Sequence, residues 1–138
     1  NKKNHTIVCG YENLGRRVAN KLEEKNVPFV IISDNLKHVL AAREKGYMAY
    51  FGHLDKIPVL ESLKADEASS IIITLDNVNK KRLICESIFK YKSDANVIIK
   101  IDTLNEQKQL EDLPISSYVH AHNKIASLLV NSSLEPKD

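Results

Sequence analysis

Glycine is scarce in this chain: four in 138 residues, beside four prolines, two cysteines, one methionine and no tryptophan. So few turn formers exclude a collagen-like or Gly/Pro-rich disordered chain, and two cysteines cannot build a disulfide scaffold. Cys9 and Cys85 lie inside apolar patterns far apart in the sequence, as buried reduced thiols do. No apolar run reaches the roughly 18 residues that span a bilayer, and no signal peptide opens the chain. An excess of one charge is missing too. Twenty Lys and Arg against 18 Asp and Glu leave a net charge of +2, which gives a nucleic-acid partner no electrostatic support. The tightest basic cluster, Lys80-Lys81-Arg82, reads as a solvated helix face. What remains, 43% hydrophobic and 28% charged residues, is the mixture of an ordinary globular domain, and the length suits one.

Two of the few glycines stand close together, and the chain is organised around them. In Ile7-Val8-Cys9-Gly10-Tyr11-Glu12-Asn13-Leu14-Gly15 an apolar run ends at Gly10, a short turn follows, and Gly15 opens a helical pattern. This is how a first strand hands over to a helix whose N-terminus receives a phosphate. The dinucleotide fingerprint G-x-G-x-x-G is met at its first and third glycines, and its middle place is Glu12. A carboxylate there adds bulk and like charge where a pyrophosphate would pass.

Taken in order, the pattern predicts a strand over 6–10 and a helix over 14–25, where Leu14, Val18 and Leu22 recur at helical spacing. A β-branched strand over 29–32 ends at Ser33-Asp34-Asn35, which caps a helix over 36–45 stopped by Gly46. A short strand over 47–51 follows, then a helix over 57–64 with Pro58 in its first turn. Strands over 70–74, 96–101 and 115–119 alternate with helices over 78–91, 104–113 and 122–131. Regular alternation with strands apolar on both faces predicts an α/β, Rossmann-like, doubly wound parallel six-stranded sheet with helices on both faces, in strand order 3-2-1-4-5-6. Ligands of such sheets lie where the order reverses, at the carboxyl ends of strands one and four. The loops converging there are 10–15, 33–35, 52–53 and 74–77.

Within those loops Asp34, with Ser33, suits the ribose-binding acid expected about 20 residues after the glycines; Ser33-Asp34-Asn35 equally suits a helix N-cap, and the two roles are compatible. Catalytic chemistry is not indicated: no G-x-S-x-G elbow, C-x-x-C pair or H-E-x-x-H motif occurs, and no residues are left over for a substrate domain. His120-Ala121-His122 has no third metal ligand nearby, nor has His53 with Asp55. The helix from Val78 carries Leu83, Ile84, Cys85, Ile88 and Phe89, a wider apolar spread than one face against a sheet requires. The last helix, with Ile125, Leu128, Leu129 and Val130, is apolar for a terminal element. Both point to a partner protomer, with Leu83, Ile84, Ile88, Phe89, Ile125 and Leu129 as the expected contacts.

These residues carry a resemblance. His5-Thr6-Ile7-Val8-Cys9-Gly10 with Gly15, Val30-Ile31-Ile32-Ser33-Asp34, Gly46, Tyr50-Phe51-Gly52, Val59-Leu60-Glu61, Ala65, Ile71-Ile72-Ile73-Thr74 and Val97-Ile98-Ile99 resemble an RCK domain, also called KTN or TrkA-N. Such domains are the cytoplasmic regulators of bacterial potassium channels, Trk/Ktr uptake systems and Kef-type potassium/proton antiporters. The resemblance covers about residues 5–132. It implies a linker at 1–4 leading from a membrane transport domain, a polar tail at 133–138, and a place at the cytoplasmic face of the cell membrane. It also implies pairing into a homodimer or a higher RCK assembly; no nucleic acid is expected as a partner, on the near-neutral charge. Carried over by position, the family's adenine-nucleotide site falls on Gly10, Tyr11, Glu12, Asn13, Leu14 and Gly15; Ser33 and Asp34; Gly52, His53 and Leu54; and Thr74, Leu75 and Asp76. Glu12, Ser33 and His53 differ from the family pattern. Thr74, Ile101 and Thr103 stand where acidic calcium ligands would be, so no calcium site is carried over. The expectation is a non-catalytic, nucleotide-sensing domain that gates potassium transport. AMP is expected before ATP, ADP or NAD(H), because Glu12 disfavours a pyrophosphate. An assembly module with a vestigial site is the alternative, and a small NAD-dependent oxidoreductase the third reading.

Overall fold

The computed structural model describes residues 4–137. Of the expected linker, 1–3 lie outside the described residues, as does Asp138 of the expected tail. Six strands, β1 (Thr6–Cys9), β2 (Phe29–Ser33), β3 (Ala49–Phe51), β4 (Ser70–Ile73), β5 (Val97–Ile101) and β6 (Ser117–His120), form one sheet in the order β3-β2-β1-β4-β5-β6. Every pairing is parallel. The helices between them are α1 (Asn13–Glu24), α2 (Leu36–Glu44), α3 (Ile57–Ser62), α4 (Val78–Tyr91) and α5 (Leu104–Lys108), with α6 (Ala121–Ser133) last.

The strand alternation sends side chains to two unequal cores. Ile7, Cys9, Val30, Ile32, Ile71, Ile73, Val97 and Ile99 pack with Leu60 of α3 and with Ile84, Cys85 and Ile88 of α4. On the opposite face Val8 and Ile31 pack with Ala19 of α1 and with Val39 and Ala42 of α2. Each fully buried Ile or Val contributes roughly 1.5–3 kcal/mol of transfer free energy, so the continuous β-branched strands carry most of the stabilisation. β6 and α6 stand apart. The strand buries no residue fully, and the helix buries none at all.

Several element ends differ from the sequence reading for local reasons. β3 begins at Ala49 because the Tyr47 amide closes the end of α2 on the Ala42 carbonyl at 3.1 Å. α3 stops at Ser62, since Lys64 adopts φ 53° and the chain passes into a 3-10 turn, Ala65–Glu67. α5 is only Leu104–Lys108; beyond it the chain turns so that Leu110 is wholly buried. The β6 ladder starts at Ser117 because the Ser116 hydroxyl, not a carbonyl, accepts the Val97 amide at 3.0 Å. α6 runs to Ser133, the first residue of the expected tail.

The apolar spread of α4 resolves differently from expectation. Ile84 and Ile88 are 7% and 1% exposed and belong to the core beneath the helix, so they cannot be contacts to a partner. Leu83 is outside at 55% exposure, and Phe89 packs partly against the core. On α6, Ile125, Leu128 and Leu129 are all more than half exposed. On α6 four exposed apolar residues, Ile125, Leu128, Leu129 and Val130, thus fall within one short helix, the densest such group among the described residues. No helix among the described residues is long and apolar enough to cross a membrane.

Candidate functional site

At the carboxyl ends of β1 and β4 the two glycines do separate jobs. Gly10 has φ +108°, and a Cβ there would stand 2.5 Å from the Thr74 hydroxyl. Gly15 sits against the loop itself: a Cβ would lie 2.1 Å from the Gly10 carbonyl oxygen. Only glycine lets α1 start this close to the strand it follows. Thr74 completes the joint, donating its hydroxyl to the Cys9 carbonyl at 2.9 Å while its amide reaches the same oxygen at 3.1 Å.

Three other helices in the sheet are capped by side chains. Asn35 accepts from the Lys37 and His38 amides at 3.0 and 3.3 Å at the start of α2, Asn77 from Lys80 at 3.0 Å in α4, and Thr103 from Glu106 at 3.1 Å in α5. At α1 the capping position is Glu12, whose side chain accepts no such bond. The first turn of α1 therefore has no side-chain acceptor, and its amides and dipole favour an anion.

A cavity of about 210 Å³ opens at Gly10, where β1 ends, and is lined by Gly10, Ser33, Asp34, Gly52, His53, Leu54 and Leu75 among the expected site residues. Its walls also include Cys9, Ile32, Asp55, Lys80, Leu83 and Ile84. The volume lies below the roughly 300 Å³ at the lower end of small-molecule sites, so a small ligand would fill it. Asn35 takes the whole capping role for α2, while Ser33 Oγ accepts the Asn35 amide at 3.1 Å. Asp34 is thereby left to the cavity. Lys80 Nζ donates to Asp34 Oδ2 at 2.9 Å, and His53 Nδ1 lies 3.9 Å from the same oxygen.

The Lys80 hydrogen bond is the foremost cause holding the Asp34 carboxyl below its usual range, with the His53 ring acting in the same direction. Its contribution to stability is thus present above the ordinary carboxylate value of about 3.9 and lost as pH falls through the lower folded value. Burial pushes the Cys9 thiol up to about 12, so the one thiol in the wall stays protonated and inert near neutral pH.

The remaining expected residues fall elsewhere. Tyr11 is 1% exposed, packed in the smaller core with the Arg16 guanidinium 4.8 Å from its ring centroid. Its side chain cannot meet a ligand, and only its backbone belongs to the loop. Glu12 and Asn13 border a separate open hollow with Arg16 and His38. Leu14 is exposed, and Thr74 lies under the loop. Asp76 turns to Lys100, which also donates to Asp102 at 3.1 Å. His120 and His122 border another open hollow with Asp102, and His122 Nε2 is 3.8 Å from the Asp102 carboxylate. Among the described residues no group of three or more His, Cys, Asp or Glu could hold a metal ion.

The reading of Lys80-Lys81-Arg82 as a solvated helix face fails at Lys81, which is fully buried, whereas Lys80 stays exposed and Arg82 partly so. Lys80 reaches Asp34; Lys81 is fully buried and pairs with Glu106 while donating to the Lys100 carbonyl at 2.7 Å; Arg82 takes both oxygens of Asp112 at 2.8 and 2.6 Å. Each cation has a separate acid, and Lys80 is one of the cavity residues that the sequence reading missed, with Cys9, Ile32 and Asp55. One signal was available: Asn77 as an N-cap puts Lys80 in the first turn after β4, at the reversal of strand order.

The family model of the TrkA-N domain matches residues 6–121. Potassium channel protein 1 of Methanocaldococcus jannaschii is 25% identical over 137 residues, covering 95% of this chain and 41% of that protein. A chloroplastic K(+) efflux antiporter 2 of Arabidopsis thaliana is 26% identical over 107 residues, 78% of this chain and 9% of its own length. The chain thus spans less than half of either relative. Among solved structures, the TrkA-N domain of inner membrane protein YbaL from Escherichia coli superposes with a TM-score of 0.88 at 22% identity, covering 98% of this chain and 99% of that one. A Kef C-terminal domain of Shewanella denitrificans in an AMP-bound form gives 0.77 at 19% identity, with 95% and 79% covered. A GsuK channel bound to NAD gives 0.78 at 22% identity, with 86% and 22% covered. At these identities the structures establish a common fold.

Proposed function

The chain belongs to the TrkA-N domain family, and from that premise we propose that it is a non-catalytic sensor of an adenine nucleotide which regulates a potassium channel or potassium/proton antiporter. One observation carries the reading: Asp34, the acid at the tip of β2, lines a cavity with Gly10 of the glycine loop, and the helix that this loop leads into has no side-chain cap. An acid in that place accepts ribose hydroxyls, and an open helix start receives a phosphate. Leu54, Leu75 and Leu83 supply apolar wall for a base.

AMP is favoured over NAD(H), ADP and ATP. The cavity is small, and the Glu12 carboxylate at the start of α1 disfavours a pyrophosphate lying across the turn. Relatives that are potassium channels and antiporters, each much longer than this chain, support a parent protein with a membrane transport domain and a cytoplasmic place for this one. Pairing of protomers rests on α6, whose Ile125 and Leu129 are 53% and 66% exposed. Ligand binding regulates transport only if it favours one arrangement of the paired domains over another.

A thermal-shift series with AMP, ADP, ATP, NAD and NADH tests the proposal. AMP at about 100 times its dissociation constant stabilises the chain by about 2.7 kcal/mol, and the other nucleotides do less at equal concentration. Unchanged melting with every nucleotide would leave a structural assembly module as the better reading.

A further inference from the structure

Asp34 does not stand alone at the tip of β2, as a bare ribose-binding acid would. Lys80 crosses from the first turn of α4, 46 positions away in sequence, to donate to it at 2.9 Å, and both residues line the cavity. Lys80 and His53 approach the same oxygen, Oδ2, so the carboxylate is held from one side and Oδ1 is the oxygen left for a ligand hydroxyl. Lys80 has no part in the core: its side chain is 55% exposed and its acid partner is Asp34. An unrestrained Asp samples several rotamers, only some of which aim an oxygen at a ribose; a charge-assisted hydrogen bond removes that freedom before the ligand arrives.

We propose that Lys80 is a specificity-determining positioning residue, which fixes Asp34 as a one-sided acceptor and so makes the site select ribonucleotides over 2′- or 3′-deoxynucleotides. The inference rests on the nucleotide-sensing reading above and deepens it. Lys80 acts through Asp34 on the sugar. On that reading the phosphate falls to the uncapped first turn of α1, while Lys80 is already committed to a carboxylate.

Calorimetric titration separates these roles, using adenosine, AMP, 2′-deoxy-AMP and 3′-deoxy-AMP against the chain and its Lys80→Gln and Lys80→Arg variants. The unaltered chain binds AMP about tenfold or more tightly than the deoxy analogues, the worth of a hydrogen bond to a charged group. Lys80→Gln weakens AMP and brings the ratio close to one, with the melting temperature of the ligand-free chain little changed; Lys80→Arg restores part of the ratio. If Lys80→Gln weakened AMP and both deoxy analogues by the same factor and left adenosine unchanged, Lys80 would be reading the phosphate and the inference would fall. AMP binding with no preference for the full ribose would also overturn it while leaving nucleotide sensing intact. No heat with any of the four ligands would overturn both.

Discussion

Two crossovers meet at the point where the strand order reverses, and they are built on opposite principles. The loop after β1 is made of absences: no side chain at Gly10 or Gly15, and no side-chain cap at the start of α1. The turn after β4 is crowded with charge. An Asn77 cap starts α4, and three consecutive cations reach three different acids. The first crossover leaves open space at the end of β1. The second ties three parts of the chain to α4: β2 through Asp34, α5 through Glu106, and the segment beyond α5 through Asp112, of which only Asp34 lines the cavity.

The contrast predicts different consequences on substitution. The largest belongs to the charged turn. Lys81→Met leaves Glu106 buried without its counter-charge, and a broken buried pair costs about 3–5 kcal/mol. Adding Glu106→Gln recovers part of that loss, since the amide oxygen still accepts the Asp102 amide that Glu106 holds at 3.2 Å. Urea unfolding of the single and double variants measures both. If the single change were neutral, α4 would not be anchored by its charges and the two crossovers would not differ in kind. Gly15→Ala tests the other side. Its new methyl group meets the Gly10 carbonyl rather than a flexible side chain, so the cost is that of overpacking, about 1–3 kcal/mol and near the top of that span. The same unfolding series shows it, together with weakened AMP binding as α1 is pushed off the strand. An alanine accepted without loss would mean that the glycine is not required by close approach.

The same contrast explains what was legible in the sequence. Strand order, parallel pairing and the four converging loops follow from β-α alternation and two glycines, because those signals are local and periodic. Gly10, Gly15 and the Asn35 cap carry their reasons within a few residues of themselves. Lys80, Lys81 and Arg82 do not: their acids lie 46, 25 and 30 positions away, and only the folded sheet brings them together. A run of three cations looks solvated when each partner is remote. Tyr11 misled for a related reason. Its place in the glycine loop suggested a ligand contact, yet the backbone turn sends its ring into the core beneath Arg16. The apolar width of α4 was real, but Ile84 and Ile88 serve the larger core, and periodicity alone could not show how far that core extends around the helix.

On the proposed function, the open crossover and the charged one bound a single adenine-nucleotide site. Backbone amide NMR during an AMP titration tests it directly. The account predicts that the amides of Asn13, Leu14 and Gly15 move together with those of Asp34, His53 and Lys80, and that those of α6 shift little in the unpaired chain. Perturbation confined to the hollow at His120 and His122, or none at saturating AMP, would contradict it.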